Sequence, residues 1–399
     1  MDVLTLLGER RLLAIVRGRH RESALETVLT LAREGVDLIE VSLTSEKALD
    51  VISAARAALG PGTVLGAGTV VTARDARDAQ DAGADFAVTP GLCVGAEEAR
   101  GLGETMVSFI PADGAALDDA GSVALEVAGA ESNVAMYLAD HGIDARWVSR
   151  LGDDAFGRRV LRHVRAAGVD VSGVRTDPAR PTGLLFKDPA QNGSTRVSYY
   201  RHGSAASAMG PDVLDDEAMR TADLWHLTGI TPALSASCHD LVRAALSGDR
   251  PTVSFDVNYR PALWHEAPGE LLREFAQAAG IVFVGLDEAR ALWGDNLHDH
   301  NDVRSLLPAP RILVVKDGPR SATAFHGDAS TQVPSLAVDV VEPVGAGDAF
   351  AAGFLAGLLR GEPMERCLRL GHVTAASALS VIGDHGPLLG GYDVRATPQ

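Results

Sequence analysis

Apolar and polar positions follow two different rhythms along this chain. From Leu12 to about Gly103, the short apolar runs LLAIVR, DLIEVSL, TVLGAGTV and DFAVTPG are separated by stretches such as ESALETVLTLAREG and SEKALDVISAARAALG, whose apolar residues recur at helical spacing. Tight strand and helix alternation predicts a parallel sheet with helical crossovers. Four such units amount to half of an eightfold barrel, and AEEARGLG reads as the fourth helix. Beyond this point the units lengthen: ARWVSRLG, DLWHLTGI, PTVSFDVNYR and RILVVKDG are each followed by a helical or turn-rich segment, as in an open α/β layer. Within TGLLFKDPAQNGSTRVSYYRHG, Asn192-Gly193 sits between two β-like runs and tolerates the positive φ angles of a type I′ turn, which predicts a hairpin belonging to a small β lid. No long Pro/Gly/Ser linker, repeat array or low-complexity tail interrupts the pattern.

Composition narrows the function. The 399 residues, 46% of them apolar, suffice for two or more domains with a large core. A formal charge of -17 argues against nucleic-acid or anionic-membrane partners, so an anionic substrate must be met by local arginines. Three scattered cysteines, Cys93, Cys238 and Cys367, suit reduced thiols better than a disulfide framework or zinc site. The first twenty residues break their apolar stretches with charge too early for a signal peptide, and no apolar run approaches the roughly 18 residues of a membrane span. A cytoplasmic protein is expected. Only three lysines, Lys47, Lys187 and Lys316, stand against 33 arginines, so any lysine-dependent chemistry must use one of the three.

The strongest chemical signal is VVEPVGAGDAFAAGFLAGLL, residues 340–359. Gly345, Ala346, Gly347 and Asp348 fall between an apolar strand and a long helix rich in small residues, where converging backbone N–H groups hold anions. Asp348 could cap the helix or accept the proton of a substrate hydroxyl. A P-loop is excluded because no lysine stands in a Gly-Lys-Ser/Thr setting, and a dinucleotide fingerprint is excluded by Phe350 in place of its last glycine.

Residues 104 to about 390 resemble the ribokinase-like (PfkB) family of sugar kinases, in particular its keto-deoxy sugar-acid branch. The resemblance rests on AGAESNVAMYLADHG, VEPVGAGDAFAAGF, YYRHGSAAS, HLTGITPALS and DVNYRPALW. It implies a three-layer α/β/α domain with a small β lid, ATP and Mg²⁺ as cofactors, and Asp348 as catalytic base beside the Gly345 to Gly347 amides. It places Gly129, Asn133 and Tyr199 at the sugar, Lys316 and Gly318 at the nucleotide, and Glu288 near Mg²⁺ through water. Arg201 and Arg260, inside the two branch segments, are suited to grip a substrate carboxylate; the alternative is that both are surface ion-pair partners, and for Tyr199 that it packs in the hairpin. Three positions depart from the family pattern: Gly285 replaces its asparagine, Ala128 the first glycine of its pair, and Leu185 a frequent tyrosine. The implied reaction is transfer of the ATP γ-phosphoryl group to the 6-hydroxyl of 2-keto-3-deoxygluconate. The alternatives are a kinase for a neutral sugar such as fructose or ribose, and an impaired fusion that only binds ligand. A homodimer stays open.

Residues 1 to about 103 resemble the first half of a 2-keto-3-deoxy-6-phosphogluconate aldolase barrel through LLAIVRG, LIEVSLTS, LGAGTV and FAVTPGL. The resemblance implies that Glu40 matches the general acid/base and Thr69 a substrate contact. Ser108 stands where the Schiff-base lysine would, and Lys47 reads as a solvated surface charge, so an inactive aldolase remnant is expected. The domains expected are therefore 1–103 and 104–390. At the join, Arg100 and Gly101 look like poor core residues for a kinase strand. The exposed edges of a half barrel lead to the expectation of subunit pairing or marginal stability.

Overall fold

The protein is described from a computed structural model over residues 7, 10–18, 20–70, 73–88, 98–112, 114–189, 195–215, 219, 222–247 and 252–389. The chain separates into two units, Met1–Glu97 and Glu98–Gln399.

In the first unit, β1 (Ala14–Val16), α1 (Arg21–Arg33), β2 (Leu38–Ser42), α2 (Ala48–Leu59), β3 (Val64–Gly68), α3 (Ala73–Asp81) and β4 (Phe86–Val88) alternate as the apolar pattern predicts. The four strands form one parallel sheet in sequence order. Val16, Ile39, Val41, Leu65 and Ala67 face Ala24, Val28, Val51, Ile52 and Ala55 of the helices in a core drawn from this unit alone. Among the described residues, β1 and β4 each pair on one side only, so the sheet is open.

The second unit continues with β5 (Glu98–Leu102), β6 (Met106–Pro111), β7 (Val123–Ala128), α4 (Ala130–Asp140), β8 (Asp144–Gly152), α5 (Ala155–Ala166), β9 (Val174–Asp177), β10 (Leu184–Pro189), β11 (Thr195–Tyr200), β12 (Leu224–Thr228) and α6 (Ala236–Ala245). Then come β13 (Thr252–Asp256), α7 (Gly269–Ala278), β14 (Ile281–Gly285), α8 (Leu286–Trp293), α9 (His300–Leu306), β15 (Ile312–Asp317), β16 (Ser321–His326), β17 (Ala329–Pro334), α10 (Ala346–Leu359) and α11 (Met364–Leu379). Nine strands form the main sheet in the order β17-β16-β15-β14-β13-β12-β5-β8-β9, parallel except for the β16–β17 hairpin at one edge. Its central strands are buried on both faces, which is why they read as unbroken apolar runs. Along β14 and β15, Ile281, Phe283, Ile312 and Val314 join one core with α4, α5, α10 and α11. Val282, Val284, Leu313 and Val315 join the opposite core with α6, α7, α8 and α9. The three layers expected of this region are thus present.

The smaller sheet has the order β11-β10-β6-β7. β10 and β11 are antiparallel, as the hairpin signal predicts, while the Asn192-Gly193 turn itself lies outside the described residues. No helix among the described residues is long and apolar enough to cross a membrane.

One expectation is corrected here. AEEARGLG does not supply a helix: Glu98–Leu102 is β5, paired with β12 on one side and β8 on the other. Nor are Arg100 and Gly101 poor core residues. Arg100 is buried against Glu98. A Cβ on Gly101 would stand 2.6 Å from the Glu131 carbonyl, and one on Gly103 would stand 2.0 Å from the Glu131 carboxyl carbon. The two glycines therefore let the start of α4 lie directly on the central strand.

Candidate active site

The site forms where α10 begins. Gly345 adopts φ +85, a left-handed conformation open to glycine, and α10 continues from it in the right-handed region. That succession turns consecutive amides toward one point. The first amide satisfied within the helix is that of Ala349, on the Gly345 carbonyl at 2.9 Å, so those of Ala346, Gly347 and Asp348 come ahead of the ladder.

Asp348 sits in this first turn and is 8% exposed. Its Oδ2 accepts from Asn133 Nδ2 at 2.9 Å and its Oδ1 from Asn258 Nδ2 at 3.1 Å. No amide of its own helix donates to it among the described residues, so the carboxylate acts as something other than a cap. Burial pushes its pKa up to about 6; Asn133 and Arg260 oppose the rise, while Asp256 and Asp384 add to it. A carboxylate so poised can take a hydroxyl proton near neutral pH.

A cleft of about 810 Å³ opens beside this turn, lined by Ala346, Gly347, Lys316, Gly318 and Glu288 together with the apolar Val338, Val340 and Leu379. Lys316 Nζ donates to Asp256 Oδ2 at 2.8 Å. Burial alone would depress its pKa, but Asp256 and Glu288 outweigh burial and raise it, so the ammonium is firmly charged. Glu288 lines the cleft with both oxygens engaged, one by the Gly285 amide at 3.0 Å and the other by the Tyr259 amide. Burial raises its pKa, with Asp256 adding and Lys316 opposing. Among the described residues no cluster of three or more His, Cys, Asp or Glu side chains could hold a metal. Glu288 is the one carboxylate besides Asp287 among the described residues lining the cleft.

The other residues singled out from sequence divide into two groups. Gly129 precedes α4 and packs under the Glu104 carbonyl, and Asn133 is fully buried against Asp348. Arg260 is exposed, has no carboxylate partner among the described residues, and acts on Asp348 through its charge. Arg201, by contrast, is buried and its Nε donates to Glu104 Oε2 at 2.6 Å, so its guanidinium is engaged within the protein. Tyr199 packs with Met106, Ala128 and Leu185 and lies beneath the Arg201 guanidinium, 5.4 Å from its ring centre. Sequence reasoning takes Arg260 from DVNYRPALW and passes over Asn258. Its signal is an Asn just after a strand; here it adopts φ +40, a conformation Asn tolerates better than most residues.

In the first unit, Glu40 is buried across Gly68 with Oε2 unpartnered, and burial raises its pKa against the pull of Arg17. Thr69 adopts φ +59 and bonds Ser42 Oγ at 2.9 Å. Lys47 is exposed at the start of α2, in keeping with a solvated charge.

Comparison with known proteins agrees with both readings. The family described as pfkB family carbohydrate kinase matches residues 100–389, and that described as KDPG and KHG aldolase matches residues 3–116. The 2-dehydro-3-deoxygluconokinase of Thermoproteus tenax is 36% identical over 269 residues, 66% of this chain and 82% of that protein. The enzyme of the same name from Bacillus subtilis is 33% identical, covering 71% of this chain and 90% of its own length. The crystal structure of a PfkB protein from Polaromonas sp. JS666 superposes with a TM-score of 0.64 at 32% identity, covering 72% of this chain and 97% of that one. With the fold, the cradle and the buried aspartate in place, the chain belongs to the pfkB family of carbohydrate kinases.

Proposed function

We propose that this kinase transfers the γ-phosphoryl group of ATP to the 6-hydroxyl of 2-keto-3-deoxygluconate. The observation that carries the reading is Asp348, held by two side-chain amides at the mouth of α10 beside the cleft. Asp348 takes the hydroxyl proton while the amides of the first helical turn and Lys316 stabilise charge on the phosphates. Mg²⁺, held through water near Glu288, would neutralise phosphate charge. Arg260, free of a carboxylate partner, is the candidate for the acid group of the substrate. The relatives named 2-dehydro-3-deoxygluconokinase support the same substrate class. A neutral sugar such as fructose or ribose is the second reading, favoured by the pairing of Arg201 with Glu104.

The first unit contributes no imine chemistry in this proposal, because its described strands carry no lysine and Lys47 lies exposed at a helix start.

ADP release measured with 2-keto-3-deoxygluconate, fructose and ribose tests the assignment. The acid should be preferred, and Arg260→Ala should raise KM for it more than for the neutral sugars, while the acid limb of every substrate moves upward because the charge of Arg260 no longer bears on Asp348. Asp348→Asn should lower kcat by about 10²–10⁴-fold. Because the base must be deprotonated, kcat/KM should be half-maximal near pH 6, rise to its full value well above it and fall away below it. Unchanged activity of Asp348→Asn would remove the base from the mechanism.

A further inference from the structure

We infer that Lys187, on the lid strand β10, is a positioning residue that sets both the phosphate cradle and the orientation of the base. The inference rests on the kinase reading above and on no choice of sugar. Lys187 is 2% exposed, and its ammonium lies 3.3 Å from Asp384 Oδ1 and 3.5 Å from Glu342 Oε2. A buried ammonium is tolerated only when paired, and here it has two partners.

Both partners belong to segments that build the cradle. Glu342 turns its other oxygen to the Val344 amide at 3.3 Å, one residue ahead of the left-handed Gly345. Asp384 packs its backbone on Gly345, so that a Cβ there would meet its carbonyl at 2.8 Å. Its Oδ2 accepts from Asn133 Nδ2 at 3.3 Å, and the same amide holds Asp348. A continuous chain therefore runs from the lid strand through Lys187, Asp384 and Asn133 to the base.

The chain has an electrostatic consequence. Asp348 is faced by Asn133, Glu131 and Tyr137 on α4, by Asp256, Asn258 and Arg260 at and beyond the end of β13, by Lys316 on β15 and by Asp384 after α11. Lys187 screens Asp384, the member of that group to which it is bound. Without the ammonium, Asp384 would bear unscreened on Asp348, and Asn133 would be drawn toward the freed carboxylate.

The test is the pH profile of kcat/KM on whichever sugar the wild-type enzyme turns over best. Lys187→Met should lower kcat roughly 100-fold through misalignment. Its acid limb should move upward by about one pH unit or more. Lys187→Arg, which restores a cation, should return the limb toward the wild-type position. Asp384→Asn removes the charge but keeps an acceptor for Asn133, and should move the limb downward; this variant serves if Lys187→Met does not fold. A folded Lys187→Met or an Asp384→Asn with an unmoved limb overturns the inference. Rejection of the keto-deoxy acid by wild type would instead overturn the substrate proposal alone.

Discussion

At the scale of single residues, the site is a collection of buried carboxyl groups whose states differ because their partners differ. Glu131 is fully buried beneath β5, with Oε1 accepting from the Thr228 and Thr231 hydroxyls at 2.8 and 2.7 Å and Oε2 left unpartnered. Burial pushes its pKa up to about 7; the two threonines oppose the rise and the charge of Asp348 adds to it. The folded protein therefore binds a proton here that the unfolded chain releases once the pH exceeds the usual glutamate value of 4.5. Stability from this group is complete below 4.5 and is lost as the pH climbs toward 7, after which the loss levels off. Glu131→Gln removes the titration. Relative to wild type, its Tm and unfolding free energy should rise between pH 5 and 8, the free energy by roughly 3 kcal/mol at the upper end. A difference in Tm that stays constant across that range would mean the native carboxyl is already ionised. Of these features the sequence reveals only the carboxylate in AGAESN; its two hydroxyl donors lie about 100 residues away, and no local spacing connects them.

Among elements, the most consequential contact ties the end of β11 to the turn between β5 and β6. Arg201 and Glu104 are both buried, paired Nε to Oε2, and Ser204 donates to the other oxygen of the same carboxylate. Removing one partner leaves an uncompensated buried charge, whereas removing both need not. Arg201→Met should therefore destabilise the protein by about 3–5 kcal/mol, and Arg201→Met with Glu104→Gln should recover most of that loss in denaturant titrations. If the single variant keeps its stability and loses only affinity for the acid substrate, Arg201 contacts substrate instead. Of the strands of the second unit, β8, β12, β13 and β15 were legible as apolar runs, and β10–β11 carry a hairpin signal. Asp348 was legible because its glycines announce a helix start that binds anions. The role of EARGL was not. A buried Arg-Gly pair reads as polar and flexible until Glu98 and the close approach of α4 are seen, and both contacts are tertiary. The engagement of Arg201 escaped for the same reason, since Glu104 is 97 residues earlier in the chain.

For the whole molecule, the governing fact is that, among the described residues, each hydrophobic core draws on one unit alone. Every member of the first core lies between Val16 and Ala84, and every member of the other clusters lies at or beyond Ala99. A unit with its own core, its own sheet and all the site residues of the kinase meets the physical requirements for folding alone. Expressed without the first 97 residues, the second unit should melt cooperatively and retain the kcat/KM of the full chain, because β5 begins at Glu98 and keeps both its neighbours. The first unit is in a different position. Among the described residues, its four parallel strands show one-sided pairing at β1 and β4, and Ile15 on β1 is 56% exposed. A sheet with open edges and an apolar side chain at one of them is prone to add further strands. Residues 1–97 alone should therefore elute as an oligomer or precipitate rather than as a compact monomer. A monomeric, cooperatively melting first unit would show that its edges are protected from within. Loss of kinase activity from a well-folded second unit would show that the half barrel is a working part of the enzyme and not a passenger.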